Sequence, residues 1–239
     1  MKIKTHLASR DRDELRILIG AVVLVGLMLI LLALVGNVVE GDTQQLDERI
    51  LKALRKPEAP AEPIGPRWLK LAAFDITSLG GPTVLGLTVV AVLGYLLLNG
   101  LFRNAMFVLI ASTGGWILND LLKAYFARPR PTVVPHLREV MSPSFPSGHA
   151  LTSAVVFLTL GTLLMRVADR PLVKWYCITL AMGATALVGT SRVYLGVHYP
   201  SDVVAGWLIG LSWALMCWLV ERAVERRYGL KKERAEAKD

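Results

Sequence analysis

Cysteine occurs only twice in the 239 residues, as Cys177 and Cys217, and both fall inside apolar runs. That excludes a disulfide framework and a thiolate metal cluster, and it predicts two small buried apolar side chains. Acidic residues are sparse, with 19 Asp and Glu against 27 Lys and Arg. No acidic cluster and no His/Cys ligand set stands at metal-binding spacing, so the sequence implies neither a metal nor another cofactor. No small-residue cleavage site follows the first apolar run, which therefore reads as a retained anchor. Internal repeats and low-complexity tracts are lacking as well. The basic excess has no interleaved aromatic patch, which argues against nucleic-acid binding and for headgroup attraction and topology control.

Long apolar runs are what the chain does have. Hydrophobic residues make up 54% of it and the mean hydropathy is +0.48, too apolar for an ordinary soluble domain. A run of about 20 apolar residues crosses a hydrocarbon core of about 30 Å at about 1.5 Å per residue. Six segments meet or approach that length: Ile17 to Val39, Pro82 to Leu98, Ala105 to about Lys123, Ala150 to Met165, Val173 to Gly189 and Val203 to Val220. The expected fold is all-α, an integral membrane bundle of six transmembrane helices forming one domain over 1–239. Within it, 1–16 and 221–239 read as charged tails and 105–220 as the core carrying the chemistry.

Between the first two spans, 40–67 reads as a loop. Leu46, Ile50, Leu51 and Leu54 recur there at helical spacing among charges, which predicts an extra amphipathic helix on the membrane surface. A solvated loop helix is the plainer alternative. Residues 57–66 (PEAPAEPIGP) are too proline-rich for regular structure and predict a stiff connector. Trp68 to Leu79 either extends the second span or forms an interfacial piece broken at Gly80-Gly81-Pro82.

With six spans both termini share a side. That side would carry sixteen of the 27 basic residues, which favours cytoplasmic termini. The loops between spans three and four and between spans five and six then both lie on the opposite, outer face, as does 41–66, which could form a lid. All three polar clusters of the chain fall in those two loops.

Lys123 to Pro131 (KAYFARPRP) leaves the third span with three cations. A lysine offers a mobile point charge, and an arginine fork binds two phosphate oxygens at once. Read alone, the cluster is equally a positive cap on a helix C-terminus or snorkelling into headgroups. Pro146 to His149 (PSGH) opens the fourth span. Its serine can cap the helix, its glycine permits close backbone approach, and the helix N-terminus favours an anion. His149 is placed there to protonate a leaving oxygen, or is an ordinary interfacial histidine. Ser191 to Asp202 (SRVYLGVHYPSD) puts an arginine, an imidazole and a carboxylate in one turn. Arg192 offers a fork, His198 a nucleophile, and Asp202 either a partner that sets the imidazole tautomer or a helix cap. Asp120, one turn before Lys123, reads as a partner for that lysine or for a site arginine.

Lys123 with Arg130-Pro131, Pro146 to His149, and Ser191 to Asp202 together resemble the three-part signature of the type-2 phosphatidic acid phosphatase superfamily. Eleven specified positions match in order; Arg128-Pro129 has no place in the pattern. This family of membrane lipid phosphatases includes bacterial undecaprenyl-pyrophosphate phosphatases. The resemblance implies a metal-independent hydrolase with a phosphohistidine on His198, oriented by Asp202, with His149 as proton donor to the leaving group. It also implies that Lys123, Arg130, Ser147, Gly148 and Arg192 bind the phosphoryl oxygens. The expected substrate is a lipid phosphate in the bilayer, with undecaprenyl diphosphate favoured over phosphatidic acid, phosphatidylglycerol phosphate or lipid A phosphate. Phosphate transfer to another lipid is a further possibility within the family. The expected location is a bacterial inner membrane, with the site on the periplasmic face. Nothing in the chain indicates an oligomeric state. A catalytically silent binder of anionic lipids, or a small transporter, is the alternative outside enzymes. The gathering of polar residues at one interface, away from a central path, speaks against transport.

Overall fold

A computed structural model describes the backbone of residues 2–236 and the side chains of residues 14–226. Eight helices and one small hairpin follow in order: α1 (Lys2–Glu40), α2 (Gln44–Ala53), β1 (Arg55–Lys56), β2 (Ala59–Pro63), α3 (Arg67–Leu79), α4 (Pro82–Leu98), α5 (Phe102–Phe126), α6 (Gly148–Val167), α7 (Pro171–Tyr194) and α8 (Pro200–Glu236). Five of these helices, α1 and α5 to α8, are long and apolar enough to cross a membrane. The pair α3 and α4 passes the same test jointly but is bent by 46° at its break. The chain is thus a helical multi-pass membrane protein, with Trp68 to Leu79 a distinct helix set at an angle to its successor.

Helix α6 is the centre of the bundle. Of its apolar window 61% is buried, against 11% for α1, whose surface is the most lipid-accessible of the spans. The central position depends on small residues, because lipid tails are as apolar as leucine and only close packing favours helix association. A Cβ on Gly206 of α8 would meet the Ser147 carbonyl at 2.7 Å, and one on Gly210 would meet the Leu151 carbonyl at 2.6 Å. On the other flank, a Cβ on Gly161 of α6 would meet Ala181 of α7 at 3.0 Å. Two tryptophans of α8 lie over glycines and find backbone acceptors for their ring N–H. Trp213 covers Gly114 and donates to the Ala111 carbonyl (2.8 Å), and Trp207 covers Gly189 and donates to the Thr185 carbonyl (3.1 Å).

Several expectations need correction. The proline-rich 57–66 segment is not wholly irregular: β2 pairs antiparallel with β1 across an irregular register. A pairing this short has free edges on both sides, so prolines without an N–H can sit in it. Glu221, where the charged tail is read to begin, still packs in the bundle. It is buried and gripped by the fork of Arg166 from α6, while Arg103 of α5 pairs with Glu225. Helix α8 continues without a break through the start of that tail, to Glu236, and α1 begins at Lys2. The side chains of 1–13 and 227–239, most of the two predicted tails, lie outside the described residues. Cys177 and Cys217 are half-buried where full burial was expected.

Gly210→Ala should lower stability by ~1–3 kcal/mol, because the added methyl must push α8 off α6. Gly86→Ala, where a Cβ meets nothing within 4 Å, should not. Thermal unfolding of the two variants in detergent compares them directly.

Candidate active site

The end of α5, the start of α6 and the turn from α7 to α8 meet at one end of the bundle. Lys123 lies in the last turn of α5. Ala127 then takes a left-handed conformation (φ 43°), its N–H closing on the Lys123 carbonyl (3.0 Å) and turning the chain into the 128–147 loop. Ser191 and Arg192 prove to be on the final turn of α7, and Asp202 on the first turn of α8; only His198 sits in the turn itself. The Ser147 N–H donates to the Asp202 carbonyl (3.0 Å), which ties the N-termini of α6 and α8 together.

Asp202 has no exposure. Its Oδ2 accepts from Ser144 Oγ (2.5 Å) and from the Tyr199 N–H (2.9 Å), while its Oδ1 accepts from Arg128 Nη1 (2.6 Å). The bond from Tyr199 is the backbone half of a capping box, so the carboxylate closes the helix start and also faces the imidazole. His198 Nδ1 lies 3.5 Å from Asp202 Oδ2 and 3.4 Å from Ser144 Oγ. Those distances are long for hydrogen bonds. Its other nitrogen, Nε2, faces Arg130 Nη1 at 3.2 Å. Burial pushes the His198 imidazole down to about 3, opposed by Asp202 and reinforced by the charges of Arg192 and Arg130. The ring is therefore neutral at ordinary pH. With Nδ1–H turned to the carboxylate, Nε2 carries the lone pair.

Three cations converge with it. Arg130 donates from Nε to the Ser142 carbonyl (2.8 Å), from Nη1 to the Val197 carbonyl (2.5 Å) and from Nη2 to Ser142 Oγ (3.2 Å). Lys123 Nζ reaches the same Ser142 hydroxyl (3.1 Å) and the Pro143 carbonyl (2.7 Å), with its stem over Gly148. Arg192 is 1% exposed and is held from outside the three clusters by Thr77 of α3, whose Oγ accepts from Nη1 at 3.0 Å. Gly80 and Gly81, at the α3–α4 break, pack on His149; a Cβ on Gly81 would stand 3.9 Å from His149 Nε2.

Four buried polar atoms here make no hydrogen bond within the protein: Ser147 Oγ, His149 Nε2, Arg192 Nε and Asn119 Oδ1. The first of these is a correction, since Ser147 occupies the cap position of α6 without capping it by its side chain. Leaving such a group unpaired costs about 1–3 kcal/mol, a cost that an oxyanion removes for Ser147 Oγ, His149 Nε2 and Arg192 Nε as donors but not for Asn119 Oδ1, which only accepts. All eight residues singled out from the sequence thus contribute to one locus. Ser144, Ser142 and Thr77 belong to it as well and were not anticipated, and Arg128, which the sequence left without a role, joins them. Asp120, expected to pair with Lys123 or an arginine, instead accepts from the Asn119 amide (2.9 Å). Among the described residues, no three His, Cys, Asp or Glu side chains gather as a metal-holding set.

Comparison with known proteins gives the same picture. The sequence profile of the PAP2 superfamily matches residues 88–226. Phosphatidylglycerophosphatase B of Bacillus subtilis is 32% identical over 194 residues, covering 78% of this chain and 89% of its own. An undecaprenyl-diphosphatase of Sulfolobus acidocaldarius is 40% identical over 95 residues, 40% of this chain and 37% of its own. The crystal structure of a transmembrane PAP2-type phosphatidylglycerolphosphate phosphatase from Bacillus subtilis superposes with a TM-score of 0.74 at 28% identity. It covers 84% of this chain and 96% of that one.

A buried imidazole with its pKa near 3 stays unprotonated where a free histidine, near 6.5, would already carry charge. At pH 5.5 the nitrogen spectrum of labelled protein should show His198 neutral with its proton on Nδ1. An imidazolium signal assigned to His198 would contradict this. The same depression makes stability fall as pH drops from about 6.5 towards 3, because the unfolded chain takes up the proton first.

Proposed function

The chain belongs to the PAP2 superfamily and is a membrane lipid phosphatase; on that premise we propose that it hydrolyses a lipid phosphomonoester or pyrophosphate through a phosphohistidine on His198. The observation that carries this reading is the orientation of His198: Nδ1 towards Asp202 Oδ2 (3.5 Å) and Nε2 beneath the Arg130 guanidinium (3.2 Å). A phosphoryl group drawn to that guanidinium arrives over the lone pair. As Arg130 transfers its hydrogen bond from Nε2 to a phosphoryl oxygen, the nucleophile is uncovered. Nε2 then bonds to phosphorus while the bond from phosphorus to the leaving oxygen breaks, and that oxygen takes its proton from His149, which is protonated once the phosphoryl charge offsets the cations around it. Water, deprotonated by His149, next attacks the phosphohistidine and releases phosphate. Lys123, Arg130 and Arg192, with Ser147 and the Gly148 N–H, hold the equatorial oxygens as charge develops, and Asp202 stabilises the transient imidazolium. On this reading no step needs a divalent metal, the arginines taking that electrostatic role.

We read the chain as a six-span protein of a bacterial inner membrane, and the bias of basic residues supports cytoplasmic termini with the site on the outer face. As substrate, an outward site suits recycling of a diphosphate lipid carrier such as undecaprenyl diphosphate. Similarity along nearly the whole length of a phosphatidylglycerophosphatase supports phosphatidylglycerol phosphate as the second candidate.

Phosphate release from a panel of lipid mono- and diphosphates in detergent decides the lipid. His198→Ala should lower turnover by about a thousandfold or more while the protein stays folded. Near-normal release would remove His198 as nucleophile. Turnover should persist in excess EDTA, and strict dependence on added Mg²⁺ would rule the scheme out. A cysteine replacing Thr132 should react with an impermeant thiol reagent from the periplasmic side; reaction from the cytoplasm alone would invert the topology.

A further inference from the structure

Helix α2 lies outside the stretch that matches the superfamily profile, yet it puts a carboxylate under the catalytic turn. Asp47 is 2% exposed. Its Oδ1 accepts the Ser201 N–H (2.9 Å), and its Oδ2 accepts from Ser201 Oγ (2.5 Å) and from Arg128 Nη2 (3.3 Å). Arg128 stands between two carboxylates. Its Nη1 donates to Asp202 Oδ1 (2.6 Å) and Ser201 Oγ (2.9 Å), its Nη2 also approaches Gln44 Oε1 (3.4 Å), and its Cζ lies 4.3 Å from the centre of the Tyr199 ring. Gln44 in turn donates to the Tyr199 hydroxyl (3.3 Å). One turn beyond Asp47, Leu51 is fully buried with Val134, Ala150, Val193, Tyr199 and Val203, so the helix is seated by packing as well as by charge.

We propose that Asp47 and Arg128 are positioning residues for the nucleophile, forming a relay from α2 through Asp202 to His198. Arg128 occupies Oδ1 of Asp202 and so leaves Oδ2 to face the imidazole. Asp47 fixes both Arg128 and the Ser201 backbone that precedes Asp202. A buried carboxylate or guanidinium is held by its partners, and losing one leaves the other charge uncompensated. Neither residue touches the phosphate-binding donors, so the relay acts on the rate of the chemical step and not on substrate capture. Helix α2 thereby supports the nucleophile from below the turn.

This rests on the reading of His198 and Asp202 as the reacting pair, and the experiment separates the two. Lipid phosphate hydrolysis is measured for the wild type, His198→Ala, Asp47→Asn, Arg128→Gln and the Asp47→Asn/Arg128→Gln double variant, each checked for folding by size exclusion and Tm. Leu96→Ala, buried at the end of α4 away from the Gly81 contact with His149, controls for lowered stability alone and should keep its kcat within threefold. Asp47→Asn should lower kcat by about tenfold with KM within threefold. The double variant should be no slower than about threefold below Arg128→Gln, since residues acting as one unit are not additive. An unchanged kcat in folded Asp47→Asn, a loss carried by KM, or multiplicative effects in the double variant would each overturn the relay while leaving His198 as nucleophile. Activity surviving in His198→Ala would overturn both. If Asp47→Asn does not fold, Ser201→Ala decides, and a kcat unchanged within twofold counts against the relay.

Discussion

A carboxylate without any exposure to water has to be met by donors on every side, because its charge in a low-dielectric interior costs several kcal/mol unless it is bonded. Asp202 imposes that demand here. It draws Ser144 and Arg128 from the 128–147 loop, the Tyr199 N–H from its own turn, and the imidazole of His198. Two of these partners come from the α5–α6 loop and two from the α7–α8 turn, so satisfying one carboxylate fixes how the loop lies on the turn. The neighbouring bond from the Ser147 N–H to the Asp202 carbonyl sets the start of α6 by the same residue.

Around that fixed anion the remaining charges are nearly all positive. Lys123, Arg130 and Arg192 would repel one another, and the protein holds them with neutral acceptors instead of carboxylates. Lys123 and Arg130 share Ser142, Arg130 also bonds the Val197 carbonyl, and Arg192 bonds Thr77. Neutral partners leave the cationic field intact for an anion, whereas carboxylates would have cancelled it. The two carboxylates bonded here, Asp47 and Asp202, are both held by Arg128, whose own charge they offset.

Residues at the ends of apolar runs were legible, because a cation or imidazole just past a span has few plain explanations and helix alternation brings such ends together. The family resemblance then gave each of them a role to be tested. Ser144, Thr77 and Asp47 were not legible. A serine two places before a proline, a threonine on an amphipathic face and an aspartate in a charged surface helix all look solvated in isolation. What makes them matter is pairing across 58, 115 and 154 residues of chain, which no local pattern records. The β1–β2 hairpin was hidden for a different reason: its prolines mimic a linker, and only the free edges of a two-stranded pairing tolerate them.

The first and last helices of the bundle lie side by side, with Gly20 of α1 so close to α8 that a Cβ there would meet Leu219 at 2.9 Å and Trp218 at 3.1 Å. Synthesis proceeds from the N-terminus, so α1 to α7 enter the membrane before α8 exists. The turn with His198 and the helix start with Asp202 then arrive together, with the last span. Until α8 docks between α1 and α6, the cation cluster has neither His198 nor Asp202 held against it, so on the proposed reading the site is assembled only by the docking of α8.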